Sequence, residues 1–296
     1  MTESAPPTFL DVPNLLESSV PRPRAGWLGY GAGGLLLVVL MATLVVAGSE
    51  EGRNLARFMS AIAMVGVVIA MAAVATVTVR RFRSQEALVE AAGELVQLRR
   101  WPQAGLVLEQ ILSQPLPTYA MRSQALIYLS SVLARYHRFG DAIKVHEHLL
   151  DHEFVDGGAG FGVRVGRAMA MLREDHLFDA DRAIAELRRL EGPEETAGLA
   201  LVEIYRDVKT GHPDEAIDIF ETRLPTLRDQ LGHRLADAYA LAARAYDLRQ
   251  RETEARDAWA KATLLAPPHE LLRRYPEVTP VSEKYPPSPA PPGALG

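Results

Sequence analysis

The chain contains no cysteine in 296 residues, which excludes disulfide frameworks, thiolate zinc sites and cysteine nucleophiles and leaves the redox compartment open. An excess of positive charge is also missing. Lys and Arg total 32 against 37 Asp and Glu, a net of -5, so the chain lacks the basic footprint that nucleic-acid binding requires. Lysine is scarce, 4 against 28 arginines, a bias expected of GC-rich bacterial coding. Aromatics make up only 7%, and no run of alternating strand residues appears, so the expected fold class is all-α. Apolar side chains, by contrast, reach 48%, enough to exclude a wholly disordered chain and to fill one large or two ordinary cores.

Charge is absent from two stretches in particular. No Asp, Glu, Lys or Arg occurs in the 25 residues between Arg24 and Glu50 or in the 22 between Arg57 and Arg80. Either length suffices for a helix to cross roughly 30 Å of hydrocarbon at about 1.5 Å per residue. The pattern therefore predicts transmembrane helices at 27–48 and 58–79 joined by a short loop at 49–57. A cleaved signal peptide is the rival for the first run, opposed by the acids and prolines that precede it. Arg22, Arg24, Arg80, Arg81 and Arg83 on one side outweigh Arg53 and Arg57 in the loop, so a multi-pass bacterial inner-membrane protein is expected, with both termini and everything after Val79 cytoplasmic. Gly29, Gly33, Gly66 and Ala70 form small-residue stripes suited to packing within the hairpin or to self-association. Residues 1–26, with Pro6, Pro7, Pro13, Pro21 and Pro23, and the tail 276–296 read as disordered. Within the first of these, TFLDVPNLL is apolar enough to dock elsewhere.

Beyond Ser84 a helix-start phrase recurs: RRWPQAGLVLEQIL, HRFGDAIKVHEHLL, HLFDADRAIAELRRL, GHPDEAIDIFETRL and QRETEARDAWAKATLL. Aligned, they place Ala104, Ala142, Asp181, Ala216 and Ala255 in register, with separations of 38, 39, 35 and 39. Each phrase follows another helix, so the repeating unit is a helix pair. The final unit, ADAYALAARAYDLRQRETEARDAWAKATLLAPP, carries Tyr246, Ala255, Trp259, Ala262 and Pro267 at spacings that resemble the tetratricopeptide repeat (TPR) family, and Ala216, Phe220 and Gly211 repeat part of that pattern. Asp181 and His146 depart from it, at the positions of the small residue and the aromatic. The resemblance implies an α-solenoid of about five helix pairs over 85–267. It further implies that the first helix of each pair lines an inner, peptide-binding face. By alignment that face carries Gln124, Ile127, Ser131, Arg135, Arg173, Tyr205, Lys209 and Arg244, the basic ones suited to a peptide carboxylate or acidic motif.

Chemistry is harder to find. His146, His148 and His152 cluster in KVHEHLLDHEF, and His148 and His152, four apart, share a helix face. The HExxH glutamate is missing, because residue 149 is Leu, and no third distant ligand is identifiable. The glycines of DGGAGFGVRVG at 156–166 lack both a preceding strand and a following Gly-Lys-Ser/Thr, so they read as an inter-repeat linker. No active site, metal or cofactor is assigned. The expected function is a membrane-tethered TPR adaptor that binds a protein or peptide partner, with the lipid bilayer as its second partner. The alternatives are a metal-dependent membrane enzyme built on His146, His148 and His152, and an accessory subunit of a membrane transport or secretion complex.

Overall fold

The computed structural model describes residues 10–21, 52–152, 157–192 and 196–286, with backbone only at 52–64, 67, 157 and 158. Among the described residues all regular structure is helical. In chain order the helices are α1 Val12–Ser18, α2 Gly52–Gln97, α3 Trp101–Leu112, α4 Tyr119–Arg135, α5 Phe139–His152, α6 Gly157–Arg173 and α7 Leu177–Leu190. They continue with α8 Ala197–Thr210, α9 Pro213–Gln230, α10 Leu235–Leu248, α11 Glu252–Leu265, α12 Pro268–Arg274 and α13 Thr279–Lys284, with short 3₁₀ turns at Gly232–Arg234 and Pro276–Val278. The chain forms two compact units, one ending at Tyr136 and the other starting at His137.

The repeat is written in the backbone. Helices α3, α5, α7, α9 and α11 each begin two residues after a residue in the left-handed region: Arg99 (φ 57°), His137 (57°), Asp175 (61°), Gly211 (79°) and Gln250 (58°). At four of these turns the next N–H returns to a carbonyl five residues back, Arg100 to Leu95 at 2.8 Å, His176 to Met171 at 2.9 Å, His212 to Asp207 at 2.8 Å and Arg251 to Tyr246 at 2.9 Å. This is the Schellman closure, which satisfies carbonyls the ending helix leaves open.

The fourth residue of each following helix is an alanine at 0% exposure: Ala104, Ala142, Ala180, Ala216 and Ala255. The alignment through Asp181 is therefore off by one, and Asp181 itself is 58% exposed. With Ala180 in place the separations become 38, 38, 36 and 39, and four residues further on stand the buried Leu108, His146, Ile184, Phe220 and Trp259. These larger side chains are knobs between helices. Phe220, for example, meets Tyr239 edge-on at 5.5 Å and Tyr246 at 6.4 Å on α10.

In the first unit, α2 packs on α3 and α4. The crossing is close at Gly93, where an added Cβ would lie 2.6 Å from the Tyr128 hydroxyl. Residues 10–21, within the segment expected to be disordered, are ordered and dock on their own unit. Leu10, Val12 and Leu15 are buried, the Asp11 carboxylate caps α1, and Ser18 Oγ donates to the Leu112 carbonyl at 2.7 Å. The buried Arg122 guanidinium donates to the Leu16 carbonyl at 2.6 Å and to Ser19 Oγ at 3.0 Å.

The expectation of a two-span membrane hairpin, and with it the multi-pass inner-membrane placement, does not hold. Among the described residues no helix is long and apolar enough to cross a membrane. The expected second span, 58–79, is instead part of α2, a continuous helix of 46 residues that also absorbs the first helix of the first repeat. From Val65 to Val79 its described side chains are mostly apolar. They are diluted by Gly66, Ala70, Ala72, Ala73, Ala75, Thr76 and Thr78, and Arg80, Arg81 and Arg83 follow. The expected first span, 27–48, with Gly29 and Gly33, lies outside the described residues. Gly66 and Ala70 are exposed, and a Cβ added at Gly66 meets nothing within 4 Å.

In the second unit α6, α8 and α10 lie side by side, each packed on the helix that follows it. A single core runs from Ile143 to Tyr285. The tail also departs from its reading as disordered. Pro276–Val278 and α13 are helical turns, and Tyr275, Val278, Val281 and Tyr285 are buried in that core. Residues 287–296 lie outside the described region.

A non-glycine residue in the left-handed region costs roughly 1–2 kcal/mol. Gln250→Gly and Asp175→Gly are therefore expected to stabilise the chain by ~0.5–1 kcal/mol each, net of glycine's extra unfolded-state entropy. Gly211→Ala is expected to destabilise by ~1 kcal/mol. Urea unfolding midpoints measure all three, and a loss of stability in both glycine variants would contradict the turn geometry.

Candidate functional site

Three of the aligned inner-face residues occupy one structural position. Arg135, Arg173 and Lys209 each stand two residues before the left-handed residue of their repeat, in the last turn of α4, α6 and α8. A cation there is favoured by the helix macrodipole whatever else it binds. On α4, in the first unit, Gln124 is exposed and Ile127 and Ser131 are half-buried. Ser131 Oγ donates to the Ile127 carbonyl at 3.1 Å, and the Arg135 guanidinium sits 5.9 Å from the centre of the Trp101 ring.

In the second unit the remaining candidates converge on the chain's own C-terminal segment. Tyr275 is fully buried. Its ring meets Tyr205 edge-on at 5.0 Å and lies 5.3 Å from the Arg173 guanidinium, which is equally close to Phe139 on its other side. The Tyr275 hydroxyl donates to Asp237 Oδ2 at 3.2 Å. Two residues on, Glu277 Oε1 accepts from the Tyr205 hydroxyl at 3.2 Å and from Lys209 Nζ at 3.1 Å, and Lys209 also pairs with Asp175 at 2.8 Å. Arg244 donates to Asp247 at 2.9 Å, and Asp247 in turn accepts from Lys284 at 3.2 Å. So Arg173, Tyr205, Lys209 and Arg244, chosen by alignment, form with Asp237 and Asp247 a face already lined by peptide.

The electrostatics agree with that geometry. Burial, reinforced by the Glu277 carboxylate, pushes the Tyr205 phenol well above its ordinary value. Burial and then Asp237 do the same for Tyr275. At Lys209 burial opposes the charge, and the hydrogen bonds to Asp175 and Glu277 overcome it and hold the ammonium above its usual range. Asp237, 1% exposed, is matched by Arg274 at 2.7 Å and Arg234 at 3.7 Å, the pairing a buried carboxylate needs.

Sequence reasoning missed Asp237, Asp247, Arg274, Tyr275, Glu277 and Lys284. The available signal was the spacing of Tyr275, Val278, Val281 and Tyr285, three or four residues apart as on a helix face.

The histidines do not form a site. His146 points into the core as the knob of α5, while His148 and His152 stack on each other outside at 4.6 Å. Among the described residues no group of three or more metal-ligating side chains is placed to hold an ion. The glycine-rich 156–166 stretch, read as a linker, is helical from Gly157. Of these glycines Gly166 makes a close approach: a Cβ there would lie 2.9 Å from His146 Nε2. Beside them an open cleft of about 660 Å³ is lined by Glu147, Arg167, His176, Asp179, Arg182 and Glu186 among others. Glu186 there accepts from Arg164 and Arg167, both at 2.8 Å.

No family model, curated protein or solved structure matches this chain.

Burial, with the Arg167 cation beside it, lowers the His146 pKa from 6.5 to about 4. The unfolded chain takes up this proton first as pH falls. The stability due to neutral His146 is thus fully present above pH 6.5 and is lost as pH drops through about 4, a change on the order of a few kcal/mol. His146→Leu is expected to flatten this acid limb in urea unfolding midpoints measured between those pH values, and equal slopes for wild type and variant would contradict the buried, neutral histidine.

Proposed function

We propose that this chain is a TPR-like helical-repeat adaptor, a binding module rather than an enzyme, which holds a peptide segment of a protein partner against the shared face of α6, α8 and α10. The observation that supports this most is the convergence of Arg173, Tyr205 and Lys209 on side chains of a peptide segment, Tyr275 and Glu277. Such a face offers what extended-peptide recognition needs. An aromatic slot supplies buried area, and positioned cations and a phenol fix a carboxylate. The reading of a metal-dependent enzyme draws no support from His146, which is turned away from His148 and His152.

The test is capture of crosslinked partners by the full chain in its native cells, followed by titration of the captured segment as a synthetic peptide. Lys209→Glu and Arg173→Ala are expected to weaken that peptide at least ~10-fold, equivalent to about 1.4 kcal/mol. Arg182→Glu, on the opposite helices, is expected to leave it unchanged. A partner indifferent to Lys209 and Arg173 but lost with Arg182 would transfer recognition to the other face and overturn the proposal.

A further inference from the structure

The C-terminal segment is both a piece of the core and a bound peptide. It leaves the repeats through Ala266 and Pro267, so it can come away without unwinding any repeat helix. Its contacts divide into two kinds. One kind is buried: Tyr275 between Arg173 and Tyr205, Glu277 on Lys209, Arg274 on Asp237, and the side chains of Val278, Val281 and Tyr285. The flanking ones are ion pairs open to solvent, Lys284 to Asp247 at 3.2 Å and to Glu252 at 2.9 Å, with the Lys284 and Glu252 side chains 43% and 62% exposed. Exposed pairs of this kind are weak and salt-screened.

The fit at the centre is incomplete. Arg173 Nε and Glu277 Oε2 are both buried and make no hydrogen bond. A buried donor and a buried acceptor left open within one cradle mean that the resident peptide does not use all the hydrogen-bonding capacity it covers.

Resting on the adaptor reading above, we infer that Arg273 to Tyr285 are a resident ligand of this face, and that the partner is a protein segment of the same chemistry, an aromatic side chain followed two residues later by a carboxylate, which takes the segment's place. The aromatic enters the Arg173–Tyr205 slot with Asp237 at its far end. The carboxylate takes the Tyr205 hydroxyl and Lys209. Because the resident peptide is tethered, it competes at an effective concentration near the millimolar range, and the face is open only in the fraction of molecules whose segment has detached.

The experiment titrates a fluorescent synthetic peptide of residues 271–286 against the full-length chain by anisotropy. Glu277→Lys, alone and with Tyr275→Ala, opens the face, and peptide affinity is expected to rise at least ~100-fold over wild type. A peptide with alanine at both the Tyr275 and Glu277 positions is expected not to bind. Where circular dichroism shows an opened variant to have lost its helices, Lys284→Glu, which touches only the flanking pairs, must show a rise in affinity instead. Absence of binding to every helical variant, or equal binding to wild type and variants, overturns the inference. A wild-type dimer dissociated by the peptide would assign the face to a second copy of the chain and overturn it as well. Failure here with partner capture still sensitive to Lys209 and Arg173 would sink the resident-ligand inference alone. Loss of that sensitivity would sink the adaptor reading itself.

Discussion

The pairs α2–α3, α6–α7, α8–α9 and α10–α11 each depend on one close approach, the packing of two helices across an alanine at the fourth position of the second. Any larger side chain at Ala104, Ala180, Ala216 or Ala255, each at 0% exposure, would push the pair apart, and cores tolerate such overpacking poorly. The left-handed residue two positions before each second helix sets that alanine's phase, since a Schellman closure fixes where the next helix can begin. Once turn and alanine are in phase, the residue four positions later must point between helices. Its identity then varies with what faces it. Phe220 and Trp259 fill wide gaps, whereas His146 fits because Gly166 presents no Cβ to its ring. The histidine is therefore explained by packing, and its depressed basicity is a consequence of the place it fills.

The same phase delivers the candidate site. Residues two before each left-handed turn fall at equivalent places on successive first helices, and Arg135, Arg173 and Lys209 occupy three of them. The macrodipole favours a cation at each, so their basic character alone does not distinguish a ligand contact from a helix-end contact. What distinguishes Arg173 and Lys209 is the neighbourhood. Tyr205 stands one turn before Lys209, Asp237 lies in the first turn of α10, and the buried Tyr205 and Tyr275 rings pack edge-on beside these groups. In such a setting a hydrogen bond to a charged group counts for more than it does at the surface.

The repeat was legible because alanines and turn residues carry a strong local signal, and legible to within one residue even in HLFDADRA, where Ala180 and Asp181 are adjacent and phrase matching chose the wrong one. Two errors share a cause, the use of averages. Counting prolines over 276–296 hid the apolar spacing of Tyr275, Val278, Val281 and Tyr285. Counting uncharged residues over 58–79 gave full weight to alanine, glycine and threonine, which favour hydrocarbon far less than the leucines of the earlier run. The 58–79 stretch continues past Arg80 within one helix, Gly52–Gln97, and charge-gap counting does not register helix continuity. Arg173, Tyr205 and Lys209 were picked by alignment, but the segment they touch was not foreseen, because nothing local in Arg273 to Glu277 states which distant helices it will meet.

Packing and recognition are separable on most of this scaffold but not at its C-terminal end. The alanines and knobs are fixed by helix contact and leave little freedom to vary. Arg173, Lys209 and Arg244 are only partly buried and contribute less to the joints than to the face, so a change in ligand preference can be made there without disturbing the stack. Tyr275, Val278, Val281 and Tyr285 belong to both categories. They belong to the continuous core of the second unit, and they ride on the segment that covers the face. In the proposed exchange, a partner has to recover in contacts what the core gives up when that segment leaves, and the apolar side chains of the segment set the threshold for a competing peptide. The orphaned Arg173 Nε lowers that threshold in the proposed exchange, because a ligand that satisfies it starts with an advantage over the resident segment.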